Sequence, residues 1–475
     1  MARLAFGLAS ALLWTIFAVA LGRAADIRAY GDFRVHGNFF QNQNFTGWTG
    51  TGAQTEDPVV FFQRLRLHFD LPASDALSFR LGLRLNNEIW GQGPLAADSS
   101  VPDIEPYQAY LQFTLPDTDL RLTAGYQPLS MPHTPVFYDS VVLSTDSGNS
   151  DTAAVVLSGP LVADTLSGTL GYGRLVDTNG PFDTATTQTG DELDLFFATL
   201  DLTLPGVKIS PFGMVGVLGR GASLGGMGDS LLSAGTFLSG GGFAHNQNPA
   251  VWAGAAVIVD ALAPFKLYAD VAFGDVAFTD RAINRRSGWF VDAALEYGGS
   301  SWVTPQVFGW WGSGEDASLT NGSERLPSID SSWGPICSFL FDADQELHNT
   351  NMDVNPQGSM GLSFGLNQIS LIPDLTSLVG VTVAAGTSSP AGLRKTVAVT
   401  GGPGAYVQMG NDLAQGETLL SAYFNHSYAI TQALDLVLET GWARGYGFHK
   451  SIWGRRMVDK AGDVIQGGLG FIYRF

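Results

Sequence analysis

Cysteine is almost missing: Cys337 is the one residue of its type among 475. That excludes a disulfide scaffold and a cysteine-ligated metal cluster. Charge is scarce too, at 15% of residues against about 25% in ordinary soluble domains. Basic residues are outnumbered 25 to 44, a formal charge of −19, which excludes a protein that grips nucleic acid through a general basic surface. No HExxH, GxSxG or Walker sequence occurs, and the seven histidines are scattered. The chain is therefore expected to be no enzyme and to hold no cofactor or metal. Apolar runs long enough for a membrane helix are also lacking, with one exception at the start.

That exception spans residues 4–21 (LAFGLASALLWTIFAVAL), after Arg3 and before Gly22-Arg23-Ala24. A positive start, an uncharged apolar stretch and small residues at −3 and −1 read as a signal peptide, residues 1–24, cleaved after Ala24. A membrane anchor is the alternative, since the run is 18 residues long. Removing two arginines and no acid leaves 23 − 44 = −21 on the mature chain.

What is abundant is glycine, 59 residues, and alternation. Ile27, Ala29, Gly31, Phe33, Val35, Gly37 and Phe39 take turns with Arg28, Tyr30, Asp32, Arg34, His36 and Asn38. A period of two puts these sets on opposite faces of a strand. The pattern repeats with Leu65, Leu67, Phe69 and Leu71 against Arg64, Arg66, His68 and Asp70, and again with Leu77, Phe79, Leu81 and Leu83 against Arg80 and Arg84. Runs of about 10–13 residues exceed the usual strand and match a tilted crossing of a bilayer. Without a spanning helix, a closed barrel is the one membrane structure that pairs every backbone group. A soluble β-protein remains the other reading.

The connections alternate in length. Short Pro-, Gly- or Asp-rich turns fall at 72–75, 116–119, 159–164, 205–206, 263–264, 298–300, 373–376 and 431–432. Longer polar segments lie between them, near 40–58, 90–105, 128–151, 176–191, 220–249, 278–287, 312–356, 388–415 and 447–462. Short turns on one side and long loops on the other mark outer-membrane barrels, which have even strand numbers. Eight turns and nine loops predict 18 antiparallel strands in one all-β, up-and-down barrel over residues 25–475. Sixteen follow if the short runs at 120–127 and 152–158 are not strands. The last strand alternates through Ile465, Gly467, Leu469, Phe471, Tyr473 and Phe475, an ending suited to recognition by barrel-assembly machinery. Tyr268, Tyr297, Trp302, Tyr473 and Phe475 are candidates for an aromatic girdle on the turn side, and Trp90, Trp289, Trp310 and Trp442 on the loop side.

Seven arginines, Arg28, Arg34, Arg64, Arg66, Arg80, Arg84 and Arg121, share the polar parity. A charge facing lipid would cost about 2–4 kcal/mol at mid-membrane, so these are expected to line the lumen. The third long loop, 128–151, carries Asp139, Asp146 and Asp151. Folded inward, it would set these carboxylates against the arginine wall, giving a transverse field that favours small polar solutes. Local pairing of the arginines with Asp32 and Asp70 is the competing account. Cys337 and the acidic run DADQELHNTNMD at 342–353 read as solvated outer-loop residues. His426 shares a face with Phe424, Tyr428 and Ile430 and could point to lipid.

The block FFQRLRLHFDLPASDALSFRLGLRLNNEIWGQGPLAADSS (61–100) and the following IEPYQAYLQFTLPDTDLRLTAGYQPLSMP (104–132), with the terminal GGLGFIYRF, resemble the outer membrane homotrimeric porins of sulfate-reducing bacteria. The resemblance covers about 100 residues closely and is architectural beyond them. It implies a Gram-negative outer membrane, a homotrimer with one pore per chain, and contact with outer-membrane lipid and lipopolysaccharide. The function expected is passive diffusion of small hydrophilic solutes and ions. A solute-selective channel for an anion or sugar is the alternative, and a barrel enzyme or adhesin a more distant one.

Overall fold

The computed structural model describes residues 27–475 except 43–44, 46–58, 93–94, 96–103, 138, 145–150, 178–191, 219–248, 277–284, 319, 330–338, 342–345, 348–351, 353 and 400–408. The signal segment, Asp146 and Cys337 lie outside the described residues.

Eighteen strands follow one another: β1 (Arg28–Gln41), β2 (Val59–Ser74), β3 (Leu77–Ile89), β4 (Glu105–Thr114), β5 (Arg121–Gln127), β6 (Thr152–Val162), β7 (Leu166–Asp177), β8 (Glu192–Leu204) and β9 (Val207–Leu218). Then come β10 (Pro249–Val259), β11 (Phe265–Val276), β12 (Arg286–Tyr297), β13 (Thr304–Gly312), β14 (Ser359–Ile372), β15 (Leu375–Gly386), β16 (Thr418–Ala429), β17 (Leu434–Tyr446) and β18 (Asp463–Arg474). Each pairs antiparallel with its chain neighbours, and β1 pairs with β18, so no edge remains. Closure leaves no strand edge with its backbone ladder unpaired. Three helices sit in long connections: α1 (Pro390–Val399), α2 (Lys450–Trp453) and α3 (Arg455–Lys460). No helix among the described residues is long and apolar enough to cross a membrane.

The period-two pattern sorts the two faces. On β14 Met360, Leu362 and Phe364 are exposed outward, while Ser359 and Ser363 are buried. On β18 Ile465, Leu469 and Phe471 point out, and Val464, Gln466 and Ile472 point in. The turn positions need left-handed backbone. Asp117, Asp164 and Asp374 adopt φ of 57°, 57° and 63°, a conformation that Asp tolerates better than most residues. Gly206 supplies it between β8 and β9 at φ 74°.

Two expectations are corrected. The third turn lies at 163–165, because β6 runs on through Gly159 and Pro160 with a register shift after Pro160. Proline lacks the N–H that the ladder needs, so pairing becomes irregular there without ending. Tyr268 and Trp310 are buried inward and belong to no girdle; the exposed neighbour Trp311 takes the outward place instead. Trp90, Trp289, Tyr297, Trp302, Tyr473 and Phe475 are exposed.

Candidate functional site in the bore

The inward faces of β1, β2 and β3 form a basic wall. Arg34 stands directly opposite Arg64, and Arg66 opposite Arg84. Like charges facing across a sheet are destabilising, so nearby carboxylates must offset them. Asp32 accepts from Arg34 Nε at 3.1 Å and from Arg64 Nη2 at 3.2 Å. Asp70 accepts from Arg80 Nε at 2.6 Å and Nη2 at 2.9 Å, a two-bond fork. Arg84 Nη2 lies 3.5 Å from Glu105. Arg66 makes no ion pair among the described residues. Tyrosine rings hold the guanidinium planes: Tyr30 and Tyr110 lie 5.8 and 5.9 Å from Arg80, and Tyr107 lies 5.6 Å from Arg84. Five guanidiniums against Asp32, Asp70 and Glu105 leave 5 − 3 = +2.

Local pairing and a charged wall therefore coexist. Arg28 and Arg121 share the inward parity with these five, through registers Arg28↔Asp70 and Thr114↔Arg121. Both are exposed and stand apart at the turn-side mouth.

Described residues of the third long connection fold into the barrel. Thr134 donates its backbone N–H to Asp270 on β11 at 3.0 Å and its hydroxyl at 2.5 Å. Phe137 packs edge-on against Phe290 of β12 and Phe308 of β13, at 5.7 and 5.2 Å. β11–β13 lie roughly half a turn around the sheet from β1–β3. Asp139 is buried and bonded by the Ser144 hydroxyl, and Asp151 is buried just before β6.

Described residues of the connection between β13 and β14, residues 313–358, also enter the bore, where the composition of the segment had indicated a solvated outer loop. Trp252 on β10 donates to the carbonyl of Pro327 at 2.8 Å. Phe341 packs edge-on against Trp310 at 5.0 Å. Leu347 is buried with Val437 and Ile472, and its N–H reaches Glu439 at 3.2 Å. Arg34 donates to the Glu346 carbonyl at 2.5 Å, so this loop abuts the basic wall. A signal was present: Leu326, Ile329, Phe339, Leu340, Phe341 and Leu347 are too apolar for a solvated loop.

Phe339 lies on Gly441 of β17, where an added Cβ would collide with the ring. Gly441→Val is expected to expel Phe339 and raise protease cleavage of 313–358 while the barrel stays closed. Cleavage equal to that of the parent chain would reject this docking contact.

Arg325 clamps the loop to the next one. Its side chain is 1% exposed, with Nη1 2.8 Å from Asp412 and Nε 3.4 Å from Glu315. Burial pushes the Glu315 carboxyl up to about 7, against the pull of Arg325. Glu417 ties the eighth and ninth connections together. It accepts from the N–H groups of Ala414 at 2.9 Å and His449 at 2.8 Å, and from the Trp453 indole at 2.7 Å. Burial raises its carboxyl above the usual range.

Under the loops a cavity of about 360 Å³ opens, lined by Val136, Glu296, Gln306, Glu346, Asn367 and Glu439 among others. The acids that line this cavity come from β12, which lies across the bore from the basic wall, from β17, two strands away from β1, and from residue 346, which abuts that wall. The described members of 128–151 contribute none of them to this lining. His426 points outward, as its parity indicated, and its Nδ1 lies 2.7 Å from the Ser377 hydroxyl. Among the described residues no group of three or more His, Cys, Asp or Glu is placed to hold a metal.

No protein-family model matches the chain, and no curated protein matches its sequence. Solved structures do match. OccK5 (OpdH) of Pseudomonas aeruginosa aligns with a TM-score of 0.50 and 13% identity, covering 95% of this chain and 98% of that one. OccK8 (OprE) of the same organism gives 0.50 and 11%, with 95% and 98% covered. The outer membrane channel DcaP of Acinetobacter baumannii gives 0.42 and 11%, with 95% and 97% covered. At these identities the likeness is one of fold: a closed antiparallel barrel shared over nearly the whole length.

Proposed function

We propose that this chain is a porin of a Gram-negative outer membrane, passing small hydrophilic solutes and ions by passive diffusion. The supporting observation is the wall of Arg34, Arg64, Arg66, Arg80 and Arg84 on the inward face of a closed barrel. Cross-strand guanidinium pairs weaken a sheet, so a purely structural wall has no use for them. In a water-filled bore they act as a fixed filter. The net +2 of that wall favours anions at the waist, although the mature chain as a whole is acidic. The seven arginines belong to the proposed pore lining and Asp139 and Asp151 to the proposed inward loop, while Asp146 lies outside the described residues.

The finer reading places the chain with the homotrimeric porins of sulfate-reducing bacteria. Its support is the sequence block at 61–132. A homotrimer also answers a geometric need. β5 has seven residues and at a 45° tilt covers about 16 Å, less than the apolar band of about 25 Å. A neighbouring copy against β3–β5 would shield that low wall.

Planar-bilayer recording with size-graded sugars tests the function. The expected result is stepwise conductance, reduced by small sugars that enter and unaffected by large ones, with an anion-directed reversal potential. Vesicles left impermeable by the purified protein would reject a channel.

A further inference from the structure

The inward faces of β17 and β18 carry two apolar side chains on an otherwise polar wall. Val437 is 1% exposed and Ile472 is 0% exposed. Both lie in the turn-side half of the barrel, where Ile472 stands opposite Asp435 and Val437 opposite Gly470. An apolar pair facing a bore needs a cover. Leu347 of the connection 313–358 supplies it, and the three side chains form a cluster of their own. The Leu347 N–H donates to Glu439 Oε1 at 3.2 Å, which fixes the backbone as well.

This seat decides where the preceding residue goes. Glu346 Oε2 accepts from Arg474 Nη2 at 3.0 Å, and the Glu346 carbonyl accepts from Arg34 Nη1 at 2.5 Å. Register brings the two arginines together: Arg34 stands opposite Ile472, and Asp32 opposite Arg474. Arg64 shares Asp32 with Arg34, and Arg474 also donates to Asp435. Arg34, Arg64 and Arg474 against Asp32 and Asp435 give 3 − 2 = +1, and Glu346 brings this patch to zero. Of these three acids, Glu346 alone comes from a loop.

The contact has a firm part and a loose part. Leu347 is fully buried, whereas Glu346 and Arg474 are each about half exposed. An exposed ion pair is weak and exchangeable. Glu346, Val437 and Glu439 also line the cavity of about 360 Å³, so a solute has room beside the pair.

We infer that Arg34 and Arg474 form a turn-side subsite for small oxyanions, that the chain's own Glu346 occupies it, and that Glu346 is thereby a specificity-determining residue. The inference rests on the channel reading above. A channel must bind a solute well enough to admit it and loosely enough to release it. A carboxylate tethered beside the arginines competes with every passing anion. The anion exchanges with Glu346 and moves on, where a vacant pair of guanidiniums would retain it. Phosphate and carboxylate both match a guanidinium fork, so inorganic phosphate serves as the probe.

The test records chloride current through single channels as inorganic phosphate is added on the turn side. In the parent chain phosphate should block weakly. Glu346→Gln is expected to raise its apparent affinity about fivefold, the upper end for competition by an exposed ion pair. Leu347→Asn leaves every charge in place but unseats the carboxylate, and should shift the block in the same direction. Combining Glu346→Gln with Arg474→Gln should abolish the gain, because the vacated subsite has lost one of its two arms. Equal block in the parent and Glu346→Gln channels overturns the assignment. So does a gain that survives Arg474→Gln, or a Leu347→Asn channel that behaves as the parent does. Stepwise chloride current shows that a variant has folded and inserted. A parent chain that carries no current at all sinks the channel reading instead.

Discussion

Replacing Arg64, Arg66, Arg80 and Arg84 together with glutamine is expected to invert the sign of the reversal potential in a salt gradient. The wall carries five guanidiniums and three carboxylates, so the change takes it from +2 to 1 − 3 = −2. A unit charge about 8 Å from a permeating ion in water contributes about 0.5 kcal/mol. One Debye length of screening reduces that about threefold. Four charges then leave roughly 0.8 kcal/mol, with opposite sign for anions and cations, or about a tenfold change in their permeability ratio. Conductance should change less than selectivity, because the loops that set the width are anchored elsewhere, at Asp270, Trp252 and Gly441. The neutral chain should still insert, since glutamine stays polar on the water side. An unchanged reversal potential in a folded, conducting variant would remove the basic wall from the filter.

The second large effect is expected at Arg325. Substituting methionine takes away the guanidinium that Glu315 and Asp412 both touch, with the weaker pull of Arg286 remaining on Glu315, and breaking such a pair from one side costs about 3–5 kcal/mol. That energy falls on the docking of residues 313–358 to the eighth connection, so single channels should become noisier and the loop open to protease. The effect depends on pH, and its sign follows from Glu315. Its carboxyl sits at about 7 in the folded protein, above its ordinary value of 4.5. Between these values the docked loop holds a proton that the undocked loop has lost. Docking in the parent chain therefore weakens as pH rises from about 4.5 to about 7, and levels off above. Without Arg325 the carboxyl climbs further, so Arg325→Met should keep losing docking above pH 7. Glu315→Gln should flatten the parent profile over the lower window. Gating noise recorded across this range checks both, and a profile identical in the parent and Glu315→Gln chains would exclude Glu315 as its source.

The strands, their number and their faces were legible because a wall with one apolar and one polar face writes itself as alternation, residue by residue. Val35, Gly37 and Phe39 had one environment and Arg34, His36 and Asn38 the other, whatever the rest of the chain did. The shared parity of Arg64, Arg66, Arg80 and Arg84 was likewise a local fact. Whether those arginines are bare or paired was not, because it depends on register. A shift of one residue would have moved Asp32 away from Arg64 and Asp70 away from Arg80. The loops were hardest. Residues 128–151 and 313–358 have no period, and their positions are set by contacts with strands more than a hundred residues away, such as Thr134 on Asp270 and Leu347 beside Ile472.

Sequence by itself thus determined long strands with a charged face opposite an apolar one, since successive side chains on a strand meet two different environments. Tertiary structure alone decided which loops fill the bore and which acids face the arginines. Those choices are made by distant side chains meeting across the lumen, and no local pattern encodes such meetings.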